Sequence, residues 1–213
     1  MQLQTAEERR ERQRDEARRV ILEATESLML EAPDQDFSIR KLAERCGFAP
    51  PTIYHYFRDK DALIDALIED RFRDLADRTE AAVQRAQDPE EELLAFARAF
   101  LAFGLENPTH YGLLLRVARD GRSRDAPAVE AARQLLRRPL RQLASADRLY
   151  TPDIEAAAQT AFALLHGLTT FQITNFQLKI SPDLSAVALD AMVRGLVRPE
   201  ARERRPSGMG RAQ

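Results

Sequence analysis

The chain has 213 residues, 44 % of them hydrophobic and 31 % charged, the balance of a polypeptide that folds around a core and not of one that stays disordered. Its longest apolar run, Ala99 to Leu105, falls far short of the ~20 residues a membrane helix needs. The single cysteine, Cys46, excludes an intrachain disulfide or a cysteine-rich metal cage. The polar start from Gln2 to Arg10 has no apolar stretch of a secretory signal, so a cytoplasmic protein without membrane contact is expected.

A formal net charge of −2 argues on its face against a nucleic-acid binder, but the distribution argues otherwise. From Ser38 to Lys60, Arg40, Lys41, Arg45, Arg58 and Lys60 outweigh Glu44 and Asp59, and from Arg194 to the end six arginines outweigh two glutamates. Proline and glycine outline helices. Only Gly47 among the eight glycines precedes position 104. Asp88-Pro89, Asn107-Pro108, Thr151-Pro152 and Ser181-Pro182 each place proline after a residue able to cap a helix, the pattern of a helix start. Glu91, three residues after Asp88, can reach back to the cap's own N–H. The stretches between are rich in Ala, Leu, Glu, Arg and Gln, which lose little side-chain freedom in a helix.

The reading is all-α, with about nine helices over 7–32, 38–45, 51–57, 60–86, 89–106, 108–119, 126–145, 152–178 and 182–198. Leu168 to Ile180 carries β-branched residues that also suit a strand; a lone strand has no partner, and helix is preferred. In the first helix Ala17, Val20, Ile21, Ala24 and Leu28 recur at helical spacing, while Glu7 to Arg19 mixes signs and reads as a solvated face before a DNA arm.

Ser38 is placed to cap a short helix whose inward positions are Ile39, Leu42, Ala43 and Cys46. Gly47 follows where a left-handed residue ends a helix without a Cβ penalty, and Phe48 can pack back on the turn. Pro50-Pro51 then opens a second short helix, with Pro51 suited to its first position. Two short helices joined by a glycine turn make a helix-turn-helix over about 38–57. Ile53 and Phe57 share its inward face. Pro51, Thr52 and His55 point outward, flanked by Tyr54 and Tyr56. Histidine and threonine can meet base edges, tyrosine hydroxyls and Lys60 can meet phosphates, and Arg40 is long enough for either.

The 60–86 helix carries two apolar stripes, Ala62, Leu63, Ala66 and Leu67 on one side and Ile64, Ile68, Phe72 and Leu75 on the other. It is therefore expected to pack into the three-helix unit at its start and into the remainder further on. Between it and the 152–178 helix, Phe96, Phe100, Phe103, His110, Tyr111, Phe162, His166 and Thr170 could line a mostly apolar cavity for a small apolar effector. Plain core is the alternative for the phenylalanines. Cys46 reads as a packed core residue. His110 and His166 have no neighbours at metal-ligand spacing, and neither metal nor cofactor is expected. A Gly-rich phosphate loop, HExxH, CxxC and a nucleophile elbow are all absent from the sequence, so an enzyme is disfavoured.

From about Arg14 to Arg73 the chain resembles the tetracycline-repressor (TetR) family of transcriptional regulators. The resemblance is carried by Ile21-Leu22-Glu23-Ala24, Ser38 to Ala43, Cys46-Gly47-Phe48, Thr52-Ile53-Tyr54-His55-Tyr56-Phe57 and Lys60-Asp61-Ala62-Leu63. It implies a DNA-binding unit over 14–75 and an effector-binding and dimerisation domain over 76–199, followed by a disordered tail over 200–213. It also implies DNA contacts at Ser38, Arg40, Pro50, Pro51, Thr52, Tyr54, His55, Tyr56 and Lys60. Leu165-His166-Gly167 resembles the Trp-His-Gly signature of one subgroup, with Leu165 in place of tryptophan. The expected function is a ligand-responsive repressor that binds a palindromic operator as a homodimer. An activator, or an architectural DNA binder without an effector, is the alternative. Dimerisation is expected through the last two long helices, where Ala156, Ala157, Ala161, Ala186, Ala188 and Ala191 permit close packing.

Overall fold

The computed structural model describes residues 5–31, 37–119, 127–174 and 179–199. Among the described residues there are nine α-helices: α1 (Ala6–Glu31), α2 (Ile39–Cys46), α3 (Pro50–Tyr56), α4 (Lys60–Val83), α5 (Pro89–Glu106), α6 (Pro108–Arg119), α7 (Pro127–Ser145), α8 (Ile154–Thr174) and α9 (Leu184–Leu196). They correspond one for one to the nine expected segments. The expected disordered tail, and residues 175–178 of the expected eighth helix, lie outside the described residues. No helix among the described residues is long and apolar enough to cross a membrane.

The apolar side chains divide into two cores. The first joins α1 to α4 through Ile21, Leu28, Leu42, Ile53, Phe57 and Leu63. The second joins α4 to α9 through residues such as Leu93, Phe100, Leu140, Ala161 and Leu189. Helix α4 serves both, as its two stripes require: Leu63, Leu67 and Ile68 lie in the first core, Leu75 and Val83 in the second, and Phe72 packs against each. Leu113 of α6 also belongs to the first core, although α6 is otherwise part of the second unit.

Helix ends follow local chemistry. Ser38 Oγ accepts from the Lys41 N–H at 3.2 Å, and Gly47 ends α2 at φ 70°. Its turn is closed by the Phe48 N–H to the Ala43 carbonyl at 2.9 Å. Asp88 caps α5 by accepting from Glu90 and Glu91, both at 2.9 Å. Glu91 reaches back one residue further than expected, to the Gln87 N–H at 2.9 Å.

Asp88-Pro89 and Asn107-Pro108 open α5 and α6 as expected, and the other two proline starts differ. Asn107 turns its side-chain amide to the Phe103 carbonyl at 3.0 Å, closing α5, while its own carbonyl accepts from the Tyr111 N–H at 2.9 Å and opens α6. At Thr151-Pro152 the cap is Asp153, which accepts from Ala156 N–H at 3.0 Å. Before α9, Ser181 Oγ accepts from Asp183 N–H at 3.3 Å, one short turn ahead of the helix. In both of these places an aspartate two residues later takes the position next to the helix, and the proline belongs to the preceding turn. Likewise α3 opens at Pro50 rather than Pro51.

Gly104 is the glycine that packing demands. A Cβ there would stand 2.3 Å from Thr169 Cγ2 and 3.2 Å from Tyr111 Cδ2, so α5 approaches α6 and α8 as closely as it does only because that side chain is a hydrogen.

Candidate nucleic-acid interface and effector cavity

Helix α3 is anchored by Ile53 and closed by Phe57, which are 1 % and 4 % exposed. Those two anchors leave most of so short a helix at least partly open to solvent. Pro50, Pro51 and His55 are exposed, Thr52 and Tyr56 half-buried, and Tyr54 is 53 % exposed. The His55 and Tyr56 rings meet edge to face at 5.4 Å. Ser38 is exposed as well as capping α2. Arg40 projects from the first turn of α2 with 85 % of its side chain exposed, paired among the described residues with Glu44 at 3.1 Å. That pair is of the i,i+4 surface kind, worth at most ~0.5 kcal/mol, so it leaves Arg40 free to be redirected.

Lys60 differs from its neighbours. Its ammonium donates to the Phe37 carbonyl at 2.5 Å and lies 4.2 Å from the centre of the Phe37 ring, so it ties α4 to the segment before α2. Arg18 of α1 stacks over Phe57 at 4.9 Å, which puts one more guanidinium beside the end of α3. The sequence reading missed it, although Arg18 is one turn before Ile21 and Leu22 and so had a helical phase to read.

A cavity of about 390 Å³ lies in the second unit, walled by α4 to α8. Of the eight residues expected there, Phe96, Phe100, Tyr111, Phe162 and His166 line it. Phe103, His110 and Thr170 are not among the lining residues. Phe103 is 1 % exposed, with the Arg78 guanidinium 5.5 Å from its ring. Thr170 stands behind Tyr111, whose hydroxyl it and Thr169 approach.

The rest of the lining, including Leu136, Arg133 and Arg137 of α7 with Glu155 and Gln159 of α8, was not foreseen. The signal was present in α7, where Ala132, Leu136 and Leu140 recur every four residues, but the sequence alone does not say that α7 is the helix opposite α8. A broader groove of about 880 Å³ runs between α5 and α9, with Glu90, Arg98, Arg148 and Asp190 in its walls. The smaller cavity is the better ligand site because its rings converge and because α4 and α6, which touch the first core, form part of its wall.

Inside it, the Tyr111 hydroxyl and His166 Nδ1 are 2.6 Å apart. Burial pushes the His166 imidazole below its ordinary value and pushes the Tyr111 phenol up to about 12, so both are uncharged near neutral pH. Phe162 stacks on His166 at 5.2 Å and stands edge-on to Phe100 at 5.9 Å.

His110 belongs to a different site. Its Nε2 is 3.3 Å from Glu26 Oε2, the same oxygen that accepts from Arg71 Nε at 3.0 Å and Arg71 Nη2 at 2.8 Å. Glu26 is 4 % and Arg71 9 % exposed. Glu26 Oε1 and His110 Nδ1 are buried and find no hydrogen-bond partner among the described residues. Burial pushes the His110 imidazole down, against the pull of Glu26. A carboxylate of α1, a guanidinium of α4 and an imidazole of α6 thus meet where the two units join. The sequence had a faint sign of this: Glu26 follows Ile21, Leu22 and Thr25 on a face that is otherwise buried.

The fold therefore defines a helix-turn-helix unit with an exposed aromatic second helix, joined through one long helix to an all-helical unit with an apolar cavity. Residues 21–67 match bacterial regulatory proteins of the tetR family, and residues 93–196 match the tetracyclin repressor-like C-terminal domain. The chain belongs to the tetracycline-repressor family. A helix-turn-helix transcriptional regulator of Mycobacterium bovis is 28 % identical over 107 residues, 47 % of this chain and 44 % of the relative. The chain thus spans less than half the length of the curated relatives it matches. Among solved structures, a TetR family transcription regulator of Marinobacter aquaeolei superposes with a TM-score of 0.76 at 20 % identity, over 88 % of this chain and 100 % of that one. The transcriptional regulator FadR of Bacillus subtilis, solved in complex with stearoyl-CoA, superposes with a TM-score of 0.66 at 17 % identity, over 83 % of this chain and 97 % of that one. At such identities these two likenesses concern the fold alone.

Proposed function

We propose that this protein is a homodimeric transcriptional repressor of the bacterial cytoplasm. It binds a near-palindromic DNA operator through paired helix-turn-helix units and releases it when a small molecule fills the cavity of the second unit. The observation that carries the reading is α3: a two-turn helix that buries Ile53 fully and Tyr56 in part while Tyr54 stays 53 % exposed next to an exposed His55. Solubility does not account for that face, and a major groove does. In this reading Ser38, Arg40, Pro50, Pro51, Thr52, Tyr54, His55 and Tyr56 meet DNA. Lys60 meets a phosphate only after leaving the Phe37 carbonyl, or else acts by holding α4.

The domain boundary falls inside α4, where Phe72 packs against both cores and Leu75 against the second. Dimerisation uses the outer faces of α8 and α9. Ala157 and Ala161 are spent inside the protomer, both fully buried; Ala186, Ala191, Gly167 and Gly195 are exposed and take over the role. A Cβ on either of those glycines would meet nothing within 4 Å, which leaves room for the backbone of a second copy. Signal passes through α6, which lines the cavity with Tyr111 and Leu114 and enters the first core with Leu113. A ligand that fits one arrangement of α6 better than another shifts the spacing of the two reading heads.

The test is operator selection from random duplexes, followed by titration of Tyr54→Ala and Arg40→Ala against the selected site and random DNA. A palindromic consensus with weakened binding in both variants supports the reading; undiminished affinity in both overturns the assigned face. An architectural protein would show the same salt dependence on both DNAs and no consensus. A persistent monomer in sedimentation at micromolar concentration would refute the dimer.

A further inference from the structure

We infer that the cavity takes an uncharged aromatic molecule bearing one hydroxyl or carbonyl oxygen, its ring among Phe96, Phe100 and Phe162 and its oxygen at the Tyr111–His166 pair. The inference rests on the reading of this cavity as the effector site and names the chemistry of its occupant.

Size sets the first bound. About 390 Å³ is near the lower end of the range for small-ligand sites, roughly 300–1,000 Å³, which suits a compact molecule. The walls set the second. Phe96 and Phe100 stack with centroids 6.2 Å apart, Phe100 is edge-on to Tyr111 at 6.0 Å, and Phe162 lies 47 % exposed at the side of the cavity. A planar ring can be met here by faces and edges at once, the geometry in which aromatic pairs gain beyond the area they bury. It would also cover a phenylalanine that is otherwise half in solvent.

Charge excludes the ionic alternatives. Among the described residues the charged groups of the lining are Arg133, Arg137 and Glu155, and they are matched. Arg137 donates to Glu155 through Nε and Nη2 at 3.0 and 2.9 Å. Glu130 stands 3.8 Å from Arg137 and 3.7 Å from Arg133. Two arginines against two glutamates leave no net charge for a ligand ion. A carboxylate would have to take Arg137 from a bidentate pair, and a cation would find its only lining carboxylate already held. The deeper polar pair carries no charge either, since burial keeps His166 unprotonated and Tyr111 protonated.

The pair itself fixes the polar requirement. A phenol and a neutral imidazole hold two polar hydrogens between them, and their bond of 2.6 Å uses one. If the tyrosine donates to Nδ1, the histidine keeps its Nε2–H and the tyrosine oxygen stays an acceptor; in the other tautomer the tyrosine hydrogen is free and Nε2 accepts. Thr169 and Thr170 approach the tyrosine hydroxyl, so the group left for a ligand is Nε2 of His166, a donor in the first tautomer and an acceptor in the second. A hydroxyl answers either and a carbonyl answers the donor.

The chain has no tryptophan, so emission from a naphthalene ring can be followed without tryptophan background. The full-length protein is titrated with 1-naphthol, naphthalene and decanoate, and the thermal midpoint and the affinity for the selected operator are measured on the same samples. The expected result is binding of 1-naphthol, naphthalene up to about tenfold weaker for want of one hydrogen bond, and no binding of decanoate. Tyr111→Phe, which keeps the ring but removes the hydrogen bond that holds His166, should abolish the preference for 1-naphthol while leaving naphthalene unchanged. Phe162→Ala, at a half-exposed position, should weaken both aromatic probes in a protein that remains folded. Decanoate binding as well as 1-naphthol, a preference that survives in Tyr111→Phe, or no binding of any probe overturns the inference. Decanoate that releases the operator leaves the ligand-controlled repressor standing and removes only the aromatic assignment. Failure of the ligand-free protein to bind any selected duplex removes the repressor reading instead, while the titration still judges the cavity.

Discussion

The two units of this protein use the same residue type in opposite ways. Tyr54 of the first unit is 53 % exposed, whereas Tyr111 of the second is 3 % exposed, hydrogen-bonded to His166 and pushed up to about 12 by burial. Each has a histidine for a neighbour, Tyr54 along the chain at His55 and Tyr111 across helices at His166. What separates them is helix length. Helix α3 has seven residues, so it cannot bury a stripe and keep a polar face without turning tyrosines outward. Tyr111 is carried by α6, of 12 residues, against Phe100 of α5 and His166 of α8, helices of 18 and 21 residues that can bury one face along several turns and fold their aromatics inward around a space. A reading head is built by exposing the rings of a short helix, and a cavity by converging the rings of long ones.

The largest expected effect lies where these two units meet. Glu26→Ala leaves the Arg71 guanidinium, 9 % exposed, without the carboxylate that accepts two of its hydrogen bonds. Breaking a buried pair from one side costs about 3–5 kcal/mol, and the Asp70 carboxylate that still holds Arg71 at 2.8 Å puts the expected loss at the lower end of that range. Chemical denaturation of Glu26→Ala should show that loss, and a change below 1 kcal/mol would mean that the units are joined by apolar packing alone. Glu26→Gln, which retains an acceptor, should recover part of it.

Gly104→Ala comes next and acts on the second unit only. The substitution gains helix propensity of up to ~1 kcal/mol, but its Cβ would stand 2.3 Å from Thr169 Cγ2, and overpacking of a filled core costs about 1–3 kcal/mol. Net destabilisation is expected. Thr169→Ser removes the offending methyl and keeps a hydroxyl for the Leu165 carbonyl, now 2.7 Å away. Gly104→Ala in that background should therefore cost less than in the native chain. Equal cost in both would place the conflict at Tyr111 instead.

The units also differ in how much of them the sequence disclosed. The first could be read nearly to the side chain, because its decisions are local: Ser38 caps three residues away, Gly47 turns the chain where it stands, and Ile53 and Phe57 are four apart on one short helix. The nine helices were legible for the same reason, since propensity and capping act within a turn or two. Caps were misplaced at Thr151 and Ser181, where aspartates two residues on stand next to the helices. The cavity was half legible. Phe96, Phe100, Tyr111, Phe162 and His166 could be gathered because α5, α6 and α8 are rich in aromatics. The wall from α7 could not, because which helix lies opposite which is decided by long-range packing that leaves no mark in a single segment. His110 was assigned to the wrong neighbours for that reason: α6 presents Tyr111 to one unit and His110 to the other, one residue apart.

Substitutions on the reading face should separate binding from stability. Arg40→Ala removes only an exposed pair with Glu44, so the thermal midpoint should stay within the scatter of surface changes, about ±0.5 kcal/mol. Operator affinity should fall by ~1–3 kcal/mol if Arg40 meets a base, with relaxed preference at that position. If Arg40 meets a phosphate, affinity should fall alike on all sequences and the salt slope should drop by about one. A loss of stability equal to the loss of binding would show that α2 needs Arg40 to fold.

The smallest effect expected is that of pH. Burial is the leading cause that holds both His166 and His110 below the ordinary value of 6.5. His110 faces Glu26 on α1 and Arg71, Asp74 and Arg78 on α4, the carboxylates pulling its value up and the guanidiniums pushing it down. Above 6.5 both imidazoles are neutral, folded or unfolded, and contribute nothing to the pH dependence. As the pH falls below 6.5 the unfolded chain takes up the two protons first, so stability present above that value is lost until the folded values are passed. The thermal midpoint should therefore decline between about pH 7 and pH 5.5, and His166→Gln should flatten part of that decline. A decline that survives in the double variant His110→Gln, His166→Gln would place the titrating groups elsewhere. A ligand bound at the Tyr111–His166 pair should deepen the decline, because it adds to the cost of charging His166 in the folded state.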